Sequence, residues 1–190
     1  LVAEDRLGAP LVWAGGEPRI VAHEPGTVRW TATASAGDLD VAVEGSLEFD
    51  GFASLAIALT ARRATAVHDV RLEIPYAPAA ATYMMGLGRK GGVRPSSYDW
   101  AWDVATRNQD GAWIGGVNAG MAFSLRGDNY VRPLNTNFYL AKPLELPPSW
   151  GNGGKGGIAI AERGGAVTVT AFSGPRVLAA GETQRVDATL

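Results

Sequence analysis

Residues 86–103 read Gly-Leu-Gly-Arg-Lys-Gly-Gly-Val-Arg-Pro, then Ser-Ser-Tyr-Asp-Trp-Ala-Trp-Asp. Aromatic rings flanked by carboxylates and cations suit carbohydrate: the apolar face of a sugar stacks on a ring while charged groups bind its hydroxyls. On that chemistry the candidate ligand- or interface-binding residues are Arg89, Lys90, Arg94, Trp100, Trp102 and Asp103. The competing reading is structural, and it is the commoner one for a Trp-x-Trp in a long loop. Trp100 and Trp102 would cover a sheet, with Asp99 or Asp103 bonded to Arg89, Lys90 or Arg94. The glycines do not make a phosphate loop, since no Gly-Lys-Ser/Thr ending and no following helix are present.

Other chemistries find less support. Glycoside hydrolysis needs two carboxylates about 5–9.5 Å apart. The candidates Asp99, Asp103, Asp110, Asp128 and Glu145 have no spacing that sets two of them on facing elements. A serine triad lacks its Gly-x-Ser-x-Gly elbow. Of two histidines, His23 falls in a turn, and His68 shares the parity of Val70, Leu72 and Ile74, which predicts an inward structural role. Asp38, Asp40, Glu44 and Asp50 do not form a calcium loop of the Asp-x-Asp-x-Asp-Gly kind. With no cysteine there is neither a disulfide scaffold nor a thiol nucleophile, and no metal or cofactor is expected. Asn118, Asn135, Asn137 and Asn152 offer amides that suit sugar hydroxyls and equally suit loop turns.

The elements that must position these residues are strands. Val28, Trp30, Ala32 and Ala34 alternate with Thr27, Arg29, Thr31 and Thr33, the period of a half-buried strand. Val41 and Val43, Leu47 and Phe49, Leu55 to Leu59, and Val70 to Ile74 repeat the pattern, with Asp50-Gly51 as a hairpin turn. Ile158 and Ile160, then Val167 and Val169, flank the turn Arg163-Gly164-Gly165, and Val186, Ala188 and Leu190 form a last strand. Strands are also expected at 81–86 and 112–126, with long irregular loops at 87–111 and 127–156. The expectation is an all-β, antiparallel two-sheet β-sandwich of the supersandwich kind with long Gly- and aromatic-rich loops. It forms one domain over 1–190, with a loop-rich aromatic region at 83–157.

Composition agrees. The chain has 190 residues, 25 of them glycine and 11 proline. Gly and Pro cost helix interiors about 1 and 3 kcal/mol each, which excludes a helical bundle. More than half the glycines and most of the aromatics fall in the 83–157 region. A net charge of −2 argues against a nucleic-acid surface, and no apolar run approaches the ~20 residues of a membrane helix. The start at Leu1, without a basic or apolar leader, points to a fragment of a longer polypeptide.

The run from Met85 to Pro95, then Trp-Ala-Trp-Asp at 100–103, then Trp-Ile-Gly-Gly-Val-Asn-Ala-Gly-Met at 113–121, resembles a β-sandwich domain of glycoside hydrolase family 123-like multidomain proteins. The resemblance covers 83–126 well and the flanking strands in pattern. In that family the domain precedes a (β/α)-barrel carrying the catalytic carboxylates, and the barrel's acid-amide motif has no counterpart here, so no catalytic residue carries over. The resemblance implies a non-catalytic accessory domain that packs on the catalytic barrel of the same polypeptide and contributes to its substrate cleft. It also implies carbohydrate as a second partner and an extracellular or periplasmic setting, while the charge balance and the short apolar runs give the expectation of no nucleic-acid or membrane partner. The alternatives are a free-standing carbohydrate-binding module and a glycoside hydrolase with its carboxylate pair in the 99–145 loops.

Overall fold

The period-two runs become paired strands. The computed structural model describes residues 1–101, 110–125 and 148–190. In chain order the first strands are β1 (Val2–Asp5), β2 (Ala14–Gly15), β3 (Arg19–Glu24), β4 (Thr27–Ala36), β5 (Leu39–Glu48), β6 (Ala53–Ala61) and β7 (Thr65–Tyr76). There follow β8 (Tyr83–Gly86), β9 (Arg89–Val93), β10 (Ser97–Ala101), β11 (Gly111–Gly115) and β12 (Gly120–Ser124). The last are β13 (Gly157–Arg163), β14 (Ala166–Phe172), β15 (Arg176–Leu178), β16 (Thr183–Arg185) and β17 (Ala188–Thr189). Strand pairing is antiparallel and gives two sheets, so the fold is the expected all-β sandwich.

The chain divides into two compact units. One holds β1 to β6, the start of β7, and β15 to β17. Its main sheet runs β4-β5-β6, with β2 and β3 on β4, and β16 and β17 on β6. Ala34, Val41 and Leu59 stand in one register row and are buried, as are Leu39 and Ala61 in another. Asp50-Gly51 makes the expected turn: Gly51 sits at φ +90° and the Asp50 carboxylate accepts the Phe52 N–H at 3.0 Å. The C-terminal tail is fastened by Asp187, whose Oδ1 accepts the Ile57 N–H at 2.8 Å and whose Oδ2 accepts Arg185 Nη2 at 3.0 Å.

His68 departs from its expected inward role. Val67 and Asp69 are buried and His68 is exposed. Residues 65–67 of β7 pair with β15, residues 71–76 pair with β14, and between these partners the alternation slips by one residue. Asp69 takes the inward place because its Oδ1 accepts the Gly174 N–H at 2.8 Å.

The other unit holds the end of β7 and β8 to β14. One of its layers runs from β7 through β14 and β13 to β10. Leu72, Ala171, Ile158 and Trp100 form one register row, and all four are buried. The second layer runs β9-β8-β11-β12, with Met84, Ile114 and Phe123 buried. β9 and β10 lie inside the segment 87–111 expected to be irregular. Its glycines and alternating Ser97, Asp99 and Ala101 suit exposed edge strands, which carry little apolar signal. Of the segment 127–156, the described part begins with the short helix Pro148–Gly151, which buries Trp150.

A tryptophan lying over paired glycines

Of the expected site residues, Arg89, Lys90 and Arg94 lie on or directly after the β8–β9 hairpin and Trp100 lies on β10, each in a different environment. The hairpin's two-residue turn is Leu87-Gly88, with φ of +49° and +80°, the positive pair that a type I′ turn requires. Leucine in this conformation is disfavoured by roughly 1–2 kcal/mol. Complete burial of Leu87 and a hydrogen bond from the Tyr98 hydroxyl to its carbonyl, 2.6 Å, offset that strain. Trp100 closes over the same turn: a Cβ at Gly88 would stand 3.0 Å from Trp100 Cζ3. The Arg89 guanidinium lies 5.6 Å from the centre of the Tyr98 ring, a cation–π contact worth about 0.5–1 kcal/mol when exposed. Lys90 is exposed on β9.

Arg94 is committed inward. Its side chain is 7% exposed, and it donates to Ala81 O (2.8 Å), Pro95 O (2.6 Å) and Glu162 Oε1 (2.6 Å). Trp100 is buried in the sheet, on a core-facing row, while Asp99 beside it is exposed. Trp102 and Asp103 lie outside the described residues, as do Asp128 and Glu145. Asp110 is buried and accepts the Ser124 hydroxyl at 3.2 Å. Burial also pushes the Tyr76 phenol up to about 12, and that hydroxyl donates to Met121 O at 3.4 Å. Among the described residues no group of three or more His, Cys, Asp or Glu is placed to hold a metal ion.

A different tryptophan is the more notable. In the β9-β8-β11-β12 layer, Val93, Tyr83, Gly115 and Gly120 form one row, and Met85, Trp113 and Ala122 the next. These positions alternate with the buried Met84, Ile114 and Ala112, so they occupy the opposite face. The Trp113 indole leans from its own row across the glycine pair. A Cβ at Gly120 would stand 2.6 Å from Trp113 Cε2 and 2.8 Å from Nε1, and one at Gly115 would overlap Cζ2. Tyr83 (38% exposed), Met85 (54%) and Val93 (69%) surround it. Solvated faces of antiparallel sheets are ordinarily polar, yet no residue in these two rows is charged. Sequence reasoning placed Trp113 on a strand and went no further. The available signal was Trp-x-Gly followed by a second glycine five residues on.

With the sandwich and this face described, the comparison with known families is decisive. The model of "Glycoside hydrolase 123, third domain" matches residues 2–190. The chain belongs to that family. The match takes in both compact units, from β1 to the last strand, and agrees with the resemblance carried by the Met85–Pro95 and Trp113–Met121 runs. No curated protein matches the chain. As a glycoside hydrolase 123 third domain, it is one domain of a multidomain glycoside hydrolase.

Proposed function

We propose that this third domain is a non-catalytic accessory module that packs against the catalytic domain of its own polypeptide and helps shape the substrate cleft. One observation carries the reading. Along β5, burial falls from Leu39 (0% exposed) and Val41 (8%) to Leu47 (44%), although all three share one face. Ile20 (57%) and Phe49 (89%) continue the open end. Trp30 lies in the Ile20 row, over Gly45. The Leu39 end of this sheet face is buried and the Leu47 end is open. Contiguous exposed apolar surface of that kind marks a contact with another folded surface.

The test uses the full-length enzyme. Amide hydrogen exchange over 19–24 and 46–53 is expected to be slow, and to accelerate in a Leu47→Asp/Phe49→Asp double variant that also loses hydrolytic turnover. Fast exchange in the wild type, or unchanged turnover and thermal midpoint in the double variant, overturns the packing role. The reading as an enzyme in its own right finds no support at Asp110, whose carboxylate is buried and occupied by Ser124.

A further inference from the structure

We infer that the outer face of the β9-β8-β11-β12 layer binds a neutral carbohydrate, with Trp113 and Tyr83 as its stacking rings. The inference does not depend on the packing role, which concerns the other compact unit.

Three observations carry it. The first is the seat of Trp113. An antiparallel cross-strand pair would ordinarily raise two side chains, but Gly115 and Gly120 raise none, and the indole fills their place. Tyr83 stands in register with Gly115, on the neighbouring strand. The two aromatic residues are therefore neighbours on one low surface, bounded by Met85 and Val93.

The second is charge. Neither register row carries a charged side chain; the exposed Arg89 and Lys90 stand beside these rows on β9, so the rows themselves offer an apolar, uncharged surface. A neutral occupant with apolar faces fits it, and a pyranose ring presents a patch of C–H bonds on each face with hydroxyls around the rim. Tryptophan and tyrosine suit such a ligand because each joins a wide apolar ring to one polar atom.

The third is the rim. The Gly116–Ala119 turn, closed by a 2.7 Å hydrogen bond from Gly116 N to Ala119 O, follows directly on the Gly115–Gly120 pair and carries the exposed Asn118. A carboxamide donates and accepts at once, as a sugar hydroxyl requires.

The experiment presents the full-length enzyme, its catalytic site saturated with a soluble monosaccharide, to an array of neutral oligosaccharides. The best binder is then titrated by intrinsic tryptophan fluorescence. The expected result is binding that survives active-site saturation and weakens at least tenfold in both Tyr83→Ala and Trp113→Ala. Should Trp113→Ala fail to fold once its glycines are uncovered, Tyr83→Ala decides. Retention of no oligosaccharide, or equal binding by a folded Tyr83→Ala variant, overturns the inference.

Discussion

A side chain at Gly115 and the indole of Trp113 require the same space. The two residues lie on one strand, two positions apart, and a Cβ added at Gly115 overlaps Trp113 Cζ2. Gly120, directly opposite, repeats the conflict from β12. Gly115→Ala or Gly120→Ala therefore forces the indole up from the sheet. Overpacking of this kind costs typically 1–3 kcal/mol, and each variant is expected to lower the thermal midpoint by several degrees. Near-ultraviolet circular dichroism should record the lost ring environment. A wild-type spectrum and midpoint in both variants would show that the ring has another resting place.

That relationship marks where the sequence stops being legible. The strands β4 to β7, β13 and β14 and the sandwich class follow from period-two alternation, which depends on neighbours along the chain, and the Asp50-Gly51 turn follows from its residue types; β1 to β3, β9 and β10 carry no such signal. The seat of Trp113 depends on which glycine of β12 stands opposite Gly115, and so on a register that one strand alone does not encode. Arg94 is a second case. Two of its three acceptors are the main-chain carbonyls of Ala81 and Pro95, and any residue type supplies a carbonyl. An arginine among glycines and aromatics consequently reads as a ligand group when it is a fastening. His68 failed for a third reason, a slip of alternation where β7 changes partner.

Arg94 fastens the exit of β9 to β13 and to the turn before β8. Truncating it leaves two carbonyls and the Glu162 carboxylate without their donor. Hydrogen bonds to a charged group contribute about 1.5–3 kcal/mol each, with strong non-additivity, so Arg94→Ala is expected to cost about 3 kcal/mol in denaturant unfolding. Arg94→Lys should recover only a minor part, because one ammonium cannot address three acceptors from a planar fork. Glu162→Gln should cost under about 1 kcal/mol, since that carboxylate is 61% exposed and exposed pairs are weak. Full recovery by lysine would reduce the role of Arg94 to its charge.

Asp187 is the corresponding fastening of the C-terminal tail. Its side chain is 7% exposed and receives both the Ile57 N–H and the Arg185 guanidinium. Removing one partner of a buried, hydrogen-bonded ion pair costs about 3–5 kcal/mol. Arg185 is 45% exposed, so the lower end of that range is expected for Asp187→Ala. Hydrogen exchange at Ile57 and along β16 and β17 should accelerate together, ahead of the rest of β6. Unchanged protection of the Ile57 amide would show that the tail is held by strand pairing alone.

Two half-exposed carboxylates give the fold an acid limb. The Ala179 N–H (2.8 Å), then the Gln184 amide (2.7 Å), hold Glu182 below its ordinary 4.5. The Ala9 and Leu7 N–H groups, at 3.0 and 2.8 Å, do the same for Asp5 from 3.8. A carboxylate with a depressed folded pKa binds fewer protons in the native state than in the unfolded one. Its contribution to stability is complete above the unfolded value and is lost as the pH falls through the folded one. The thermal midpoint of the wild type should therefore exceed that of an Asp5→Asn/Glu182→Gln double variant by a constant margin above about pH 5. Below that the margin should close, because the protonated wild type offers its backbone donors no better acceptor than the amides do. A margin that widened on acidification would mean that these turns are held by something other than their carboxylates.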